Sequence, residues 1–411
     1  MKYIIFEDPK YKDLYPLNLL RASFDIKAGA FSMKERIEHY LPADSRIELF
    51  VRDSIAEFVT QNNSNLVNKF PAEDSIFLNG RVVFSKKVID WINDSMSVNS
   101  VIDFEDTIVA AKLSVDEINN RKDKFSFCLN NDFFLGLKKI NNTNYQFQNI
   151  FEIINHPWDI LKSLDVNLGF DLSYLLDSVK GKDKNTDVNQ DNDNNFVSPS
   201  AKVYPGVILD TVSGEIFIDD NAVVEPLTYL KGPIYIGKNA LVKSGSKIYG
   251  PCSIGHSSKV SGEISSSVFH SCVNKQHDGF IGHTYACPFV NFGADTVTSN
   301  LKNNYSKIRV NQFGNNINTG MQFLGSIVGD HSKFGINTML NTGTICGIFA
   351  NVAGGGFPDK LIESFEWNII GSEKEKYNLD KAFETAKMVM KRRGFDMSEA
   401  YINLVKNIYS K

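Results

Sequence analysis

Aliphatic side chains recur at every sixth position through much of the second half of the chain. Two runs, 218–260 and 328–352, follow a short lead-in that starts at Val197. A six-residue period fits neither an α-helix nor an alternating strand, and it is typical of a hexapeptide solenoid. Three hexads close one coil, and the aliphatic residue of each hexad points inward. The pattern predicts a left-handed parallel β-helix over 197–356 with inward residues Ile218, Val224, Leu230, Ile236, Val242, Ile248, Ile254, Val260, Val328, Phe334, Leu340, Cys346 and Val352.

The corners of such a coil need residues that tolerate a positive φ. Asparagine and glycine visit that region readily, whereas other residues resist it by about 1–2 kcal/mol. Such residues stand three positions after the inward residue at Asn221, Asn239, Gly245, Asn337 and Gly343. We therefore expect corners at these five positions.

The first 165 residues alternate between strand-like and helix-like stretches. We predict strands at 3–6, 47–51, 75–78 and 106–111. One helix should begin after Ser32, with Glu35 completing a capping box, and another should be capped by Asp53 or Ser54. Strands that alternate with helices indicate a layered α/β domain over 1–165 with a mostly parallel sheet, whose ligands bind at the carboxyl ends of strands.

The remaining segments connect or follow these two domains. Residues 166–196 are predicted to be a linker, because 180–195 contain a single apolar residue and cannot offset the entropy cost of ordering. Residues 357–411 contain two amphipathic stretches, 380–393 and 398–408, separated by Gly394, a favourable residue for ending a helix. We expect these helices to cap the open end of the solenoid.

Charge and cysteine content exclude several classes of protein. The net charge is −4 and no basic block is present, so we expect no nucleic-acid partner. Five widely spaced cysteines indicate neither a disulfide framework nor a zinc knuckle. The N-terminus does not resemble a signal peptide, and no apolar run approaches the ~20 residues that span a bilayer. These features predict a cytoplasmic protein without a membrane partner.

The hexad phase breaks between Val260 and Val328, where polar residues and histidines concentrate. Departures from a structural rule tend to mark functional positions. His283 is a candidate general base, because an imidazole can remove a proton from an amine or hydroxyl. His277, one hexad earlier, is the alternative base, and a structural histidine at a corner is the other interpretation of His283.

The residues around His283 resemble those of the hexapeptide-repeat acyltransferases. The similarity is greatest to the acetyltransferase domain of the bifunctional N-acetylglucosamine-1-phosphate uridyltransferase/glucosamine-1-phosphate acetyltransferases. The stretches 282–285 and 291–294 and Asn300 are similar to that family's motifs. The resemblance implies that His283 is the base and that the matching positions bind the sugar phosphate, namely Lys275, Tyr285, Asn291 and Asn300. Tyr285 follows the histidine by two residues, whereas the family has a spacing of three.

The first half resembles a diverged sugar nucleotidyltransferase domain. The stretches 16–21, 76–81 and 157–159 are similar to motifs of that family. The glycine-rich loop that cradles nucleotide phosphates is absent, and Arg81 stands where the family has a metal-binding aspartate. The resemblance implies that Arg21 and Asn79 contact a nucleotide, although the favoured interpretation of Arg21 is a salt bridge that closes the first domain.

Several further residues are candidates for binding. Lys307 and Arg309 could hold a phosphate, or they form a solvated surface pair. Asp8 and Asp103 are candidates for Mg²⁺, but the identity of any metal is unknown from the sequence. The γ-class carbonic anhydrases use the same helix with zinc, yet their H-x4-H spacing is not found here, because five residues separate His277 from His283.

The resemblance implies a homotrimeric enzyme of sugar-phosphate or nucleotide-sugar metabolism. The β-helix would transfer an acyl group from acetyl-CoA or another acyl-CoA to a sugar phosphate or nucleotide sugar. The N-terminal domain would bind UTP or dTTP, with Mg²⁺ required only if nucleotidyl transfer is retained. The alternative is a catalytically degenerate, sugar-nucleotide-binding trimeric scaffold or regulatory protein.

Overall fold

The computed structural model describes residues 2–140, 151–180 and 194–411. The chain divides into two units. The first comprises Met1–Ile26, Phe31–His156 and Glu399–Val405, and the second comprises Lys27–Ala30, Pro157–Ser398 and Lys406–Lys411. The N-terminal part of the first unit therefore ends at His156, whereas the predicted boundary was residue 165.

A seven-stranded sheet forms the centre of the first unit. Its order is β3-β2-β1-β4-β7-β6-β8, and β7 is antiparallel to both of its neighbours whereas the other pairs are parallel. The mostly parallel α/β sheet is thus confirmed. A further ladder pairs β5 with β9 in antiparallel fashion. The strands are β1 (Lys2–Phe6), β2 (Arg46–Phe50), β3 (Leu66–Val67), β4 (Ser75–Asn79), β5 (Val82–Phe84), β6 (Ser100–Phe104), β7 (Thr107–Leu113), β8 (Lys138–Lys139) and β9 (Phe151–Ile153).

The helices of this unit follow from local capping. The predicted capping box is present: the Glu35 amide donates to Ser32 Oγ at 3.1 Å, and the Ser32 amide donates to Glu35 Oε2 at 2.7 Å. The next helix begins at Asp53 with Arg52 as its N-cap, so the predicted caps Asp53 and Ser54 were one and two residues late. The Arg52 side chain makes no cap hydrogen bond. The helices are α1 (Met33–Tyr40), α2 (Asp53–Asn62), α3 (Lys86–Asp94) and α4 (Val115–Asn120).

A three-sided parallel β-helix dominates the second unit, as the hexad pattern predicts. The first face comprises Asn195–Val197, Ile216–Ile218, Ile234–Ile236, Cys252–Ile254, Val268–Phe269, Tyr285–Ala286, Ser326–Val328, Thr344–Cys346 and Leu361–Ile362. The second comprises Lys202–Val203, Val223–Val224, Leu241–Val242, Lys259–Val260, Asn274–Lys275, Asn291–Phe292, Lys333–Phe334, Asn351–Ala353, Glu366–Ile369 and Glu375–Lys376. The third comprises Ile208–Asp210, Tyr229–Lys231, Lys247–Tyr249, Glu263–Ser265 and Phe280–Gly282, followed by the pair Val297–Thr298 and Met339–Leu340.

The predicted inward residues form one continuous core inside this β-helix. Those predicted between 218 and 352 are buried. The five predicted corner residues, Asn221, Asn239, Gly245, Asn337 and Gly343, all have positive φ. The hexad repeat therefore predicted both the inside and the corners of the coil.

The phase break reflects shortened corners, and the solenoid continues through it. After Val260 the next buried inward residues are Ile264, Phe269 and Lys275, at intervals of four, five and six residues. Pairing between successive coils is maintained, since Ile264 pairs with Ile248 and Lys275 with Val260. An excursion after Thr298 contains the antiparallel hairpin Arg309–Gln312 and Asn315–Asn318.

Helices cover parts of the β-helix. Residues 164–178 form a helix where a linker from 166 was predicted, because buried Leu164, Leu168 and Leu172 give it an apolar face. Residues 181–193, which hold most of the polar stretch predicted to be disordered, lie outside the described residues. The helices after residue 156 are α5 (Pro157–Lys162), α6 (Leu164–Ser178), α7 (Leu379–Lys391) and α8 (Glu399–Tyr409), and residues Glu399–Val405 of α8 belong to the first unit.

The C-terminal helices contact the side of the coil and its last turn, where the ring of Tyr409 packs on Phe365 with centroids 4.9 Å apart. Their predicted role as a cap of the open end stays a prediction. The residues at the end of α7 lie beside the second face, where Arg393 Nη1 donates to the Ser257 carbonyl at 2.9 Å. The last strand of that face, Glu375–Lys376, pairs in antiparallel fashion with Glu366–Ile369, and Lys376 Nζ donates to the Tyr409 carbonyl at 2.7 Å. Across the ranges described, no helix is both long enough and apolar enough to cross a membrane.

Candidate functional site

His283 occupies a corner of the β-helix between the third and first faces. Its φ is +46°, a left-handed conformation that costs a non-glycine residue about 1–2 kcal/mol. Two coil contacts hold this backbone: the His283 amide donates to the Ser265 carbonyl at 2.9 Å, and the Gly325 amide donates to the His283 carbonyl at 2.9 Å. The neighbouring coils thus position the imidazole through its own main chain.

The structure pairs His283 with Asn300. Asn300 Nδ2 lies 3.0 Å from His283 Nδ1. When the amide donates to Nδ1, the neutral ring carries its proton on Nε2. Rotation of the amide by half a turn would let Nδ1–H donate to Oδ1 and leave Nε2 free to accept a proton. The arrangement that suits a general base is therefore one amide rotation away.

An aromatic side chain covers the imidazole. The rings of Phe323 and His283 stack with centroids 5.2 Å apart and planes inclined by 21°. Burial lowers the pKa of His283 to about 4, because the charged ring loses hydration. The imidazole is consequently neutral at physiological pH.

Gly282 makes room for this pair. A Cβ at this position would lie 2.6 Å from Asn300 Nδ2 and 2.5 Å from Phe280 Cζ, closer than real contacts allow. Its amide donates to Thr298 Oγ1 at 3.0 Å. Glycine is therefore required here because a side chain would clash. Its backbone conformation does not require glycine, since its φ is not in the left-handed region.

A polar cavity of about 530 Å³ opens beside Asn300. Residues on both sides of this asparagine contribute to its wall, and its volume lies in the range of about 300–1,000 Å³ that is common for small-molecule sites. Lys360 Nζ donates to Thr342 Oγ1 at 3.4 Å, and the pKa of Lys360 is lowered by burial and by the charge of Lys302. The cavity is lined by Ser299, Leu301, Lys302, Asn303, Asn304, Asn341, Thr342 and Phe357.

Lys275 lies inside the β-helix at an inward position. It is 1% exposed, and its ammonium donates to the carbonyls of His277 and, at 2.8 Å, Asp278. Burial lowers its pKa to about 8. The ammonium therefore holds a corner of the protein rather than facing a sugar phosphate, and this corrects the role implied by the resemblance.

The other residues predicted near His283 are distributed over different parts of the coil. Tyr285 is fully buried, and its hydroxyl accepts from the Lys27 amide at 3.1 Å. His277 is exposed at the corner between the second and third faces, on a different edge from His283. Asn291 lies on the second face and accepts from Asn274 Nδ2 at 2.7 Å. Of the predicted group, only Asn300 contacts the imidazole.

Lys307 and Arg309 lie in the excursion and are exposed. Arg309 Nε and Nη2 donate to the side-chain and main-chain oxygens of Asn316, at 3.1 and 2.9 Å. Lys307 contributes its carbonyl as an acceptor for Lys302 Nζ. This geometry agrees with the interpretation of the two cations as surface residues.

Charged pairs fill the carboxyl ends of β1 and β4 in the first unit. Arg81 is fully buried and holds both oxygens of Asp8, at 2.7 Å from Nε and 2.6 Å from Nη2. Asn79 Nδ2 donates to the same carboxylate at 3.0 Å. Arg21 is buried, and its Nη1 donates to the Leu17 carbonyl at 2.6 Å. Asp8 is thus neutralised by an arginine, which argues against its predicted role as a Mg²⁺ ligand.

The other candidate metal ligand is also paired with a cation. Asp103, the other candidate, forms an ion pair with Lys139 at 2.6 Å. Within residues 2–140, 151–180 and 194–411, no group of three or more His, Cys, Asp or Glu side chains is arranged to hold a metal ion.

Three residues of the site were missed by the sequence reasoning. Phe323 is 40 positions away from His283 and stacks on its ring, whereas Thr298 is 16 positions away from Gly282 and accepts from its amide. Both contacts arise only through the stacking of coils. Gly282 was noticed only as part of a motif. Its position directly before the histidine is the signal that could have identified it as a close-approach glycine.

Comparison with known proteins is consistent with this two-part architecture. A family model described as "Sugar nucleotidyl transferase" matches residues 3–179. The chain is 32% identical over 143 residues to the bifunctional sugar-1-phosphate nucleotidylyltransferase/acetyltransferase of Sulfurisphaera tokodaii, a match that covers 34% of this chain but only 36% of that protein.

Two further comparisons extend beyond the family domain. The chain is 26% identical over 368 residues to the bifunctional protein GlmU of Methanococcus maripaludis, covering 80% of this chain and 82% of that protein. A solved Arabidopsis UDP-N-acetylglucosamine acyltransferase is 14% identical and covers 49% of this chain and 78% of that chain, with a TM-score of 0.23. A TM-score this low supports no conclusion about the chain.

Proposed function

We propose that the second unit transfers an acyl group from an acyl-CoA to an amine or hydroxyl of a sugar phosphate or nucleotide sugar. The observation that carries this proposal is the contact between His283 and Asn300 at a corner of a parallel β-helix, beside an open polar cavity. The name of the Sulfurisphaera tokodaii relative, which combines nucleotidylyltransferase with acetyltransferase, is consistent with this assignment.

His283 would act as the general base. With Asn300 Oδ1 accepting from Nδ1–H, Nε2 removes the proton from the acceptor amine or hydroxyl as it attacks the thioester carbonyl. The new C–N or C–O bond forms, the C–S bond breaks, and the proton passes to the departing thiolate of coenzyme A. Burial keeps the ring neutral before the reaction, and the Asn300 amide oxygen would stabilise the imidazolium during it.

The polar cavity beside Asn300 would receive the acyl donor, acetyl-CoA or another acyl-CoA. Lys302 lines it and Lys360 approaches it through Thr342, so positive charge is available for the phosphates of coenzyme A. A homotrimer, which the family resemblance implies, and a cytoplasmic location, which the composition of the chain predicts, complete the proposal.

The first unit would bind a nucleotide or sugar phosphate, with UTP and dTTP as the candidates and with Arg21 in contact with it. Asn79 is fully buried and its side chain is bonded to Asp8, Ile108 and Arg81, which corrects the contact implied by the resemblance. Retained nucleotidyl transfer would require Mg²⁺. Its carboxylate ligands would have to come from residues other than Asp8, which is already paired with Arg81.

The test is an acyl-transfer assay that measures release of free coenzyme A from acetyl-CoA in the presence of amino-sugar phosphates. We expect His283→Gln to lower kcat by roughly 10²–10⁴-fold, the usual worth of general-base catalysis. His277→Gln is the matched control, since it removes an exposed histidine on another corner. Full activity in His283→Gln would refute the assignment.

A second pair of variants tests the role of Asn300. Asn300→Asp keeps an oxygen that accepts from Nδ1–H, so it should retain activity and raise the pKa of His283. Asn300→Leu removes the acceptor and should lose activity without a loss of fold. Equal loss in both variants would indicate that the side chain serves only the structure of the excursion.

The second candidate function is a non-catalytic sugar-nucleotide-binding scaffold. The ion pair between Asp8 and Arg81 favours it for the first unit, because it occupies the region where a metal ligand was predicted. Calorimetry with UTP, dTTP and acetyl-CoA separates the two candidates. Binding of UTP or dTTP without binding of acetyl-CoA would favour the scaffold.

A further inference from the structure

A second cavity, of about 360 Å³, lies between the second face of the β-helix and the C-terminal end of α7. Four cationic side chains contribute to its wall, two from the strands and two from the residues that follow α7. We call it the cationic cavity, and it is lined by Lys259, Cys272, Asn274, Gln276, Phe289, Val290, Asn291, Lys333, Val389, Arg392 and Arg393. It is separate from the His283 corner, which lies between the other two faces.

The positive charges in the cationic cavity are not balanced by acidic residues. Among the described residues that line it, none carries a carboxylate. Two of these cations donate to backbone oxygens: Lys333 Nζ donates to the His331 carbonyl at 2.9 Å, and Arg393 Nη1 donates to the Ser257 carbonyl at 2.9 Å. Four like charges around one space repel each other, and an anion in that space would relieve the repulsion.

The electrostatics of the two lysines agree with this picture. Burial lowers the pKa of Lys333 to about 8. The pKa of Lys259 is lowered by burial and by the charges of Arg393 and Arg392. Both ammonium groups are therefore less stable in their charged form than they would be in water, and a bound anion would offset that cost.

Neutral donors complete the cationic cavity. Gln276 Nε2 donates to Asn274 Oδ1 at 2.6 Å, and Asn274 Nδ2 donates to Asn291 Oδ1 at 2.7 Å. This chain of amides runs along the second face next to the cations. Side-chain amides beside arginine and lysine suit a ligand that has both phosphate oxygens and hydroxyl groups.

We propose that the cationic cavity binds a phosphate monoester, with Lys259, Lys333, Arg392 and Arg393 around the phosphate and the amides of Asn274, Gln276 and Asn291 beside the rest of the ligand. The phosphate comes from a sugar phosphate or from the 3′-phosphate of coenzyme A. The proposal does not depend on acyl transfer, because binding is measured without turnover.

The experiment is calorimetric titration of the full chain with inorganic phosphate, a hexose 1-phosphate, coenzyme A and dephospho-coenzyme A. The test variant is the double substitution Lys259→Gln/Arg392→Gln, which leaves the more buried Lys333 in place. The matched control is Lys387→Gln/Lys391→Gln, which removes the same charge from exposed positions on α7. Circular dichroism verifies that both variants are folded.

We expect the test variant to weaken binding of the phosphate monoester roughly 100-fold, since each charge-assisted hydrogen bond is worth about tenfold or more. The control should change it by less than about threefold, and added salt should weaken binding to the wild type. Loss of hexose phosphate binding alone identifies the sugar phosphate as the ligand. Loss of coenzyme A binding, with dephospho-coenzyme A already weak, identifies the 3′-phosphate. Absence of phosphate binding by the wild type, or unchanged binding by the test variant, would overturn the proposal.

Discussion

The low pKa of His283 makes the stability of the protein depend on pH. Burial holds the pKa at about 4 in the folded state, whereas the ordinary value is 6.5. Between these two values the unfolded chain binds more protons than the folded chain. Stability that is present above pH 6.5 is therefore lost as the pH falls toward 4.

The size of the effect follows from the two pKa values. A shift of this size corresponds to about 3 kcal/mol when the ring is fully protonated in both states. Between about pH 7.5 and about pH 5, the linkage relation gives a loss of about 2 kcal/mol from this one residue. Protonation of Nδ1 would also break the hydrogen bond that it accepts from Asn300 Nδ2.

The assay is urea unfolding followed by circular dichroism at these two pH values. Other groups titrate in the same range, so the informative quantity is the difference between the wild type and His283→Gln. The wild type should lose about 2 kcal/mol more than this variant. His277→Gln should behave like the wild type.

Equal losses in the wild type and in His283→Gln would refute the reasoning. Such a result would mean that the imidazole is hydrated in the folded state, despite the ring of Phe323 that covers it. The assignment of His283 as a neutral base at physiological pH would then lose its physical support.

Three further predictions concern other parts of the structure. Gly282→Ala should push the Asn300 amide away from the imidazole and lower kcat in the acyl-transfer assay roughly 10–100-fold while the far-ultraviolet circular dichroism is unchanged. Raising the pH from about 8 to about 10 should stabilise the wild type more than Lys275→Met. The pKa of Lys275 is about 8 in the folded wild type, so the unfolded chain binds more protons than the folded chain in that window. Urea unfolding at the two pH values measures the difference. Asp8→Asn should destabilise the first unit by about 3–5 kcal/mol, because it leaves the buried Arg81 guanidinium without its counter-charge. Thermal unfolding of the full chain measures this, and an unchanged melting temperature would contradict the prediction.

Local rules were sufficient for the regular parts of the fold. The hexad spacing of aliphatic residues predicted the β-helix because the inward positions are apolar throughout its two regular runs. The capping box of α1 was predicted because Ser32 and Glu35 satisfy each other's backbone amides within four residues. Both features depend only on neighbours in the sequence.

Residue propensities failed at corners where side-chain packing offsets the strain of the backbone. Phe289, His331 and Phe349 occupy left-handed corners that propensity assigns to asparagine or glycine. Their rings stack on one another, with centroids 4.8 and 4.6 Å apart, and this packing offsets the strain of the backbone. The sequence likewise did not predict that the β-helix continues through the phase break. Shortened corners change the spacing of the inward residues but preserve the pairing of successive coils.

The candidate site shows the same division. The sequence by itself determined that a parallel β-helix would carry His283 and Asn300, because inward spacing and motif residues are visible along the chain. Only the tertiary structure decided that these two side chains meet, that Lys275 points inward and that α7 brings two arginines to the second face. The physical reason is that each of these contacts joins residues from different coils or helices, and their distance is set by the stacking of coils and the docking of helices rather than by separation along the chain.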